Sequence, residues 1–412
     1  MKLCDILDID NFIIKFRNRR LVMIEEKKVK FEGNGIVIEG TTYLIPPNPE
    51  MGYNCGYSIF IPKNCKQDTT LIMHSCNTGN NVVIHLNQAN EIAKRSTYAS
   101  PNPGMWFGYD LGMPVMIPLI PRVQGYYTQA LGSKVYHNDV STLIEDQERR
   151  RDDEKLTEEE ILKIQEQCRD LPSQVANMIK SARIFLLSKG ISVDDKVIAE
   201  GYSAGSKFAN CFAALHPELV KACICGGNSG LGILPLTEYK GQKLNFPLGV
   251  ADIPNFDYEA FCSIQQLFYI GIEDFNDPAM PKCQFQVDKN NEYSLDSNGY
   301  RIPITDDEGN IIPILDKNGR IQPRYKENYT QHEIEQIHQL LGNNPQTRFT
   351  NNETIYSLLG INAIFRRFPG NHNTVTQNHN ESYFYTNECV KEFIRSITMK
   401  EKNLDDSSNF HL

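Results

Sequence analysis

The chain has 412 residues, 40% of them hydrophobic and 23% charged, with 51 acidic against 42 basic side chains and a formal net charge of −9. That balance belongs to a folded globular protein and excludes a disordered one, and an acidic chain without a basic stripe is not built to hold nucleic acid. The length exceeds an average domain, yet an α/β core with insertions absorbs it, so one large core with loops is expected.

Residues 1–34 read as an N-terminal extension, after which two short β-type runs, Gly40–Ile45 and Tyr57–Ile61, each stop at a proline and suit an antiparallel pair. Thr70–Met73 and Val115–Ile117 read as strands buried on both faces, with a polar helical stretch over about 83–94 between them. The segment 139–170 is dense in charge, and Thr157 with Glu160 forms a capping-box signature, which predicts a solvated helix. A second helix is expected from Pro172, carrying Val175, Met178, Ile179, Ala182, Ile184 and Phe185 on one stripe and stopping at Gly190.

Lys196–Glu200 then reads as a strand, Gly201-Tyr202-Ser203-Ala204-Gly205 as a sharp turn, and Ser206–Leu215 as a helix ended by His216-Pro217. Further strands are expected at Ala222–Cys225, Leu267–Ile270 and Ala363–Phe365. Alternating strands and helices imply an α/β fold, a mostly parallel central sheet with helices on both sides.

A ten-residue unit interrupts the rhythm between about 287 and 323, where Asp296-Ser297-Asn298-Gly299, Asp306-Asp307-Glu308-Gly309 and Asp316-Lys317-Asn318-Gly319 each lead into a tail ending in proline. Asp with Gly three positions on is turn chemistry, and the tails suit extended segments, so an inserted β-meander or flap is expected. A calcium loop needs oxygen ligands at three alternate positions before its glycine, and here the glycine comes too early, so no metal is expected. The resulting division is a core over 35–282, an insert and candidate lid over 283–350, the rest of the core over 351–397, and a tail over 398–412.

Eleven cysteines at irregular spacings include no C-x-x-C pair, and Cys223 and Cys225 lie in an apolar run, where they read as small buried hydrophobes. The start, Met1-Lys2-Leu3-Cys4-Asp5, lacks a secretory signal's basic flank and apolar stretch, and no run reaches the roughly 18 apolar residues of a membrane helix. A cytoplasmic, reduced protein without membrane span or cofactor is the expectation, its oligomeric state unassigned.

The chemistry centres on Ser203. A strand, a glycine-flanked serine and a helix make the nucleophile elbow, in which the glycines permit a turn that lifts the hydroxyl above the sheet edge. Serine is a poor nucleophile at neutral pH and needs a histidine base and a carboxylate to orient it, in chain order Ser, acid, His. The strand Leu267–Ile270 runs into Gly271-Ile272-Glu273-Asp274-Phe275-Asn276-Asp277, where Asp274, three residues past the glycine, is the favoured acid, Asp277 the alternative and Glu273 the third choice. His372 follows the last strand on a turn and is the expected base, whereas His332, His338 and His379 read as surface or packing residues. The oxyanion hole needs two backbone donors: Ala204 N–H is one, and the loop His74-Ser75-Cys76 supplies the other, Cys76 first and Ser75 next. The stretch Ser100–Tyr109, with Trp106, is read as lining the mouth or as a packed surface loop.

On these residues the chain resembles the α/β-hydrolase superfamily, nearest to the polyhydroxybutyrate-depolymerase and feruloyl-esterase-like esterases, in which the loop after the third strand often reads His-Gly-Cys; here it is His74-Ser75-Cys76. The resemblance covers about 40–280 and 360–397, leaves the repeats outside, and implies an α/β-hydrolase fold and a serine hydrolase acting on a small-molecule or acyl ester. A serine peptidase or amidase, or a silent binding protein on the same fold, are the alternatives.

Overall fold

The structure is a computed structural model that describes residues 24–33, 36–75, 103–120, 157–295, 302–307, 311–315, 317–319, 321, 329–372 and 386–398. Its main sheet is built from β1 (Glu25–Gly33), β2 (Ile36–Ile45), β3 (Gly56–Pro62), β4 (Ile72–Ser75), β5 (Val115–Leu119), β6 (Val197–Tyr202), β7 (Val220–Gly226), β8 (Gln265–Gly271) and β9 (Ala363–Phe368). The spatial order is β1-β2-β3-β5-β4-β6-β7-β8-β9. The pairs β1/β2, β2/β3 and β3/β5 are antiparallel, and every later pair is parallel. The expected antiparallel opening and parallel body are therefore both present.

The central strands β4 and β6 are buried along their whole length, as the continuous apolar runs required. Alternate residues feed two layers. Leu71, Met73, Val197, Ala199 and Cys223 pack in the layer of α3 (Leu171–Ser188) and α4 (Ala204–Leu215), while Ile72, Val115, Ile198, Ile224 and Leu267 pack in that of α1 (Pro103–Leu111) and the helix over 386–398. At roughly 1.5–3 kcal/mol for each fully buried large apolar side chain, these layers dominate the folding free energy. Cys223 and Cys225 are buried in this core as expected, and at neighbouring Cys211 burial pushes the thiol up to about 12.

Two expectations need correction. The N-terminal extension contributes β1, whose Glu- and Lys-rich sequence hides it: only Val29 is buried among residues 24–30. The 103–109 part of the supposed mouth loop is α1, with Pro103 tolerated in the first turn, and Met105 and Phe107 are core residues against which Trp106 packs half-buried. The charged segment does end in a helix, α2 (Glu158–Gln167), directly after Thr157. The stretch 83–94, Cys76 and His379 lie outside the described residues.

The repeats form a ribbon that pairs with itself. Its first arm carries bridges Val287↔Tyr293, Phe285↔Pro303 and Cys283↔Pro313, two residues of arm for each ten-residue unit, and Thr305↔Ile311 and Leu315↔Ile321 link the units to one another. Asp288 turns the first corner by accepting from the backbone N–H groups of Asn290 and Glu292. After the ribbon come α6 (Gln331–Leu341), started by a Thr330–Glu333 capping box, and α7 (Pro345–Leu358), capped by Asn344; α5 (Tyr258–Ser263) precedes β8. No helix among the described residues is long and apolar enough to cross a membrane.

Candidate active site

Ser203 stands between β6 and α4 with φ 56° and ψ −122°, a conformation that costs on the order of 1–3 kcal/mol for a residue with a Cβ. Two features hold it. Its N–H donates to the carbonyl of Gly226 at the end of β7 (2.8 Å), and the turn is so tight that a Cβ on Gly201 would lie 2.3 Å from the Gly205 backbone. Gly205 in turn presses on Ser75, whose carbonyl would be 2.6 Å from an added Cβ and whose hydroxyl donates to the Gly205 carbonyl (2.5 Å). The glycine pair is thus a steric requirement of the elbow. Ala204 opens α4, so its N–H is among those without an intrahelical acceptor, at the positive end of the helix.

The acid loop leaves β8 by a turn closed by Asp274 N–H on the Gly271 carbonyl (3.0 Å). Gly271 permits the loop that carries His372 to cross it, since a Cβ there would sit 2.3 Å from the carbonyl oxygen of Gly370. His372 Nδ1 meets Asp274 Oδ2 at 2.7 Å, with Asp274 fully buried and His372 nearly so. Tyr202, next to the serine, donates its hydroxyl to the His372 carbonyl (2.8 Å) and lays its ring beside the imidazole, 5.0 Å between centroids. The structure therefore brings Asp274 and His372 together and ties the histidine loop to the elbow residue.

The other two carboxylates are elsewhere. Asp277 is buried in an ion pair with Arg348 of α7 (2.5 Å), and Glu273 is exposed. Arg348 also donates to the carbonyls of Ser229 (3.1 Å) and Gly342 (3.3 Å), while Gln346 donates to those of Gly271 (2.8 Å) and Asp274 (3.1 Å). The first turn of α7 thus clamps the acid loop. His338 of α6 hydrogen-bonds the Ala279 carbonyl from the same side (3.2 Å), and burial, aided by the Arg348 charge, lowers its pKa. Arg348→Met is expected to cost about 3–5 kcal/mol, because it leaves the Asp277 carboxylate buried and unpaired; thermal or urea unfolding of the variant measures it. A loss under about 1 kcal/mol would mean that the pair does not hold the loop.

Below the elbow lies a second buried pair that sequence reading missed. His74 Nδ1 meets Glu200 Oε2 at 2.5 Å, both side chains are buried, and Glu200 Oε1 has no hydrogen-bond partner among the described residues. These positions are direct neighbours in the β4/β6 register, so pairing of the two strands brings them together. His74 is thus held at the end of β4 by a carboxylate of the neighbouring strand.

A mostly parallel sheet, helices on both faces and a serine on the strand-to-helix elbow define an α/β-hydrolase fold. No protein-family model matches the chain, and no curated protein does. Among solved structures it is similar to the poly(3-hydroxybutyrate) depolymerase of Bordetella parapertussis, at 11% identity over 85% of this chain and 86% of that one, with a TM-score of 0.37. It is also similar to the acylaminoacyl peptidase of Pyrococcus horikoshii, at 11% identity over 94% of this chain and 43% of that one, TM-score 0.38. A third is a siderophore hydrolase of Aspergillus nidulans, at 12% identity over 89% and 93%, TM-score 0.33. The chain spans less than half the length of the peptidase.

Proposed function

We propose that the chain is a carboxylic-ester hydrolase working through an acyl-enzyme, with Ser203 as nucleophile, His372 as base and Asp274 as the carboxylate that orients it. The observation that carries this reading is the buried 2.7 Å contact between Asp274 and His372, on loops tied to the elbow of Ser203. In acylation Ser203 Oγ attacks the ester carbonyl carbon while its proton passes to His372 Nε2. Collapse of the tetrahedral intermediate breaks the bond to the alcohol oxygen, which takes the proton from Nε2. Water then repeats the sequence on the acyl-enzyme and releases the acid. Negative charge on the carbonyl oxygen meets the Ala204 N–H, and we assign the second donor to the backbone of Cys76.

Two assays test it. A fluorophosphonate probe should label Ser203, and short p-nitrophenyl esters should turn over faster than aminoacyl anilides. No labelling of folded protein would leave a silent binding protein on this fold, and faster anilide cleavage would make the enzyme an amidase.

A further inference from the structure

The atom of His372 that faces the reaction already has a partner. Asn276 Nδ2 lies 3.2 Å from His372 Nε2. An amide nitrogen can only donate, so Nε2 is the acceptor, consistent with Nδ1 donating to Asp274. Among the described residues, no hydrogen bond joins Ser203 Oγ to this nitrogen. Asn276 is otherwise fixed through its backbone: its N–H donates to Asp274 Oδ1 (3.1 Å), and its carbonyl accepts from Ser229 Oγ (2.6 Å). Its side chain is thus carried on an anchored loop next to the proton-shuttling atom.

Valence sets what must follow. A neutral imidazole nitrogen has one lone pair, so Nε2 cannot hold both the Asn276 amide and the Ser203 hydroxyl proton. When Nε2 takes that proton it becomes a donor, and the amide N–H needs another acceptor within reach. The group that arrives at Nε2 in the next step is the alcohol oxygen of the ester, to which Nε2 returns the proton. Charge grows on that oxygen as the bond to carbon breaks, and a fixed donor beside it is worth most there.

We infer that Asn276 is a catalytic residue of the leaving-group side: its side-chain amide, parked on His372 Nε2 at rest, transfers to the alcohol oxygen of the ester as that oxygen departs. The assignment rests on the Ser203–His372–Asp274 reading above. It predicts that the enzyme is built for esters of poor leaving groups, unactivated alkyl alcohols, for which help at the departing oxygen limits the rate.

The test is a series of acetate esters of p-nitrophenol, phenol, trifluoroethanol and ethanol, read as kcat/KM, which reports acylation, the step in which the alcohol leaves. Asn276→Ala should lose about tenfold or more on ethyl acetate and less than about threefold on p-nitrophenyl acetate, steepening the dependence on leaving-group pKa. Asn276→Asp keeps the shape but cannot donate when ionised, and should lose at least as much on ethyl acetate. Equal losses across the series, a gain with Asn276→Ala on every ester, or wild-type behaviour of Asn276→Asp would each overturn the assignment. If the wild type hydrolyses the esters and Ser203→Ala does not, such a result removes Asn276 alone. If folded wild type hydrolyses none of them, the ester-hydrolase reading falls and this assignment with it.

Discussion

Ser203→Ala is expected to lower hydrolysis of short p-nitrophenyl esters by about 10⁵- to 10⁶-fold and to abolish fluorophosphonate labelling, while the protein melts within a few degrees of the wild type. The size of the rate effect follows from the absence of any other nucleophile at the elbow: once the hydroxyl is gone, backbone donors and substrate binding leave only a small residual rate over water. The stability effect is small for a separate reason. The serine is half-buried, and the bonds that fix the turn, Ser203 N–H to Gly226 and Ser75 to Gly205, belong to backbone or to other side chains. Alanine keeps the Cβ and the same backbone strain, so the change should stay within about 1 kcal/mol. Steady-state kinetics with a thermal melt decide it. A folded variant that retains wild-type turnover would remove Ser203 from the chemistry.

The parts of this molecule that were legible in the sequence are those set by local chain geometry. The elbow is one, because the Gly201–Gly205 contact is a property of five consecutive residues. The helix Leu171–Ser188 is another: Pro172, an apolar stripe and Gly190, at φ 79°, mark it from start to stop. The turn after β8 is a third: Asp274 lies three residues past Gly271, and the bond between its N–H and the Gly271 carbonyl gives that spacing its physical meaning. What sequence reading missed depends on pairing between distant segments. Nothing local to Arg348 announces that its guanidinium is buried against a carboxylate 71 positions away, and His74 meets Glu200 only because β4 and β6 align. β1 is concealed by its charges, since an edge strand can satisfy one face with water. Asn276 is a polar residue on an acidic loop, and its value lies in one distance, to His372 Nε2, that exists only after two loops cross.

Asp274→Asn and Asp277→Asn should separate along different axes, although the two carboxylates are three residues apart and both are buried. An asparagine at 274 can present its amide N–H to Nδ1, which favours the imidazole tautomer that places its proton on Nε2. Nε2 then cannot accept from Ser203, and a loss on the order of 10⁴ in kcat is expected with little change in KM. Asp277 meets Arg348 instead of the histidine, and its Oδ1 also accepts from Ala279 N–H. Neutralising it strands a guanidinium that is fully buried, at a cost of about 3–5 kcal/mol in stability. The chemistry suffers only as far as the α7 clamp on the acid loop loosens, which we expect to be within about tenfold in kcat below the melting transition. Kinetics and unfolding measured on the same two variants make the comparison. Should Asp277→Asn prove the inactive variant and Asp274→Asn merely an unstable one, the carboxylate that orients His372 has been misassigned, and the Asp274–His372 contact would be structural.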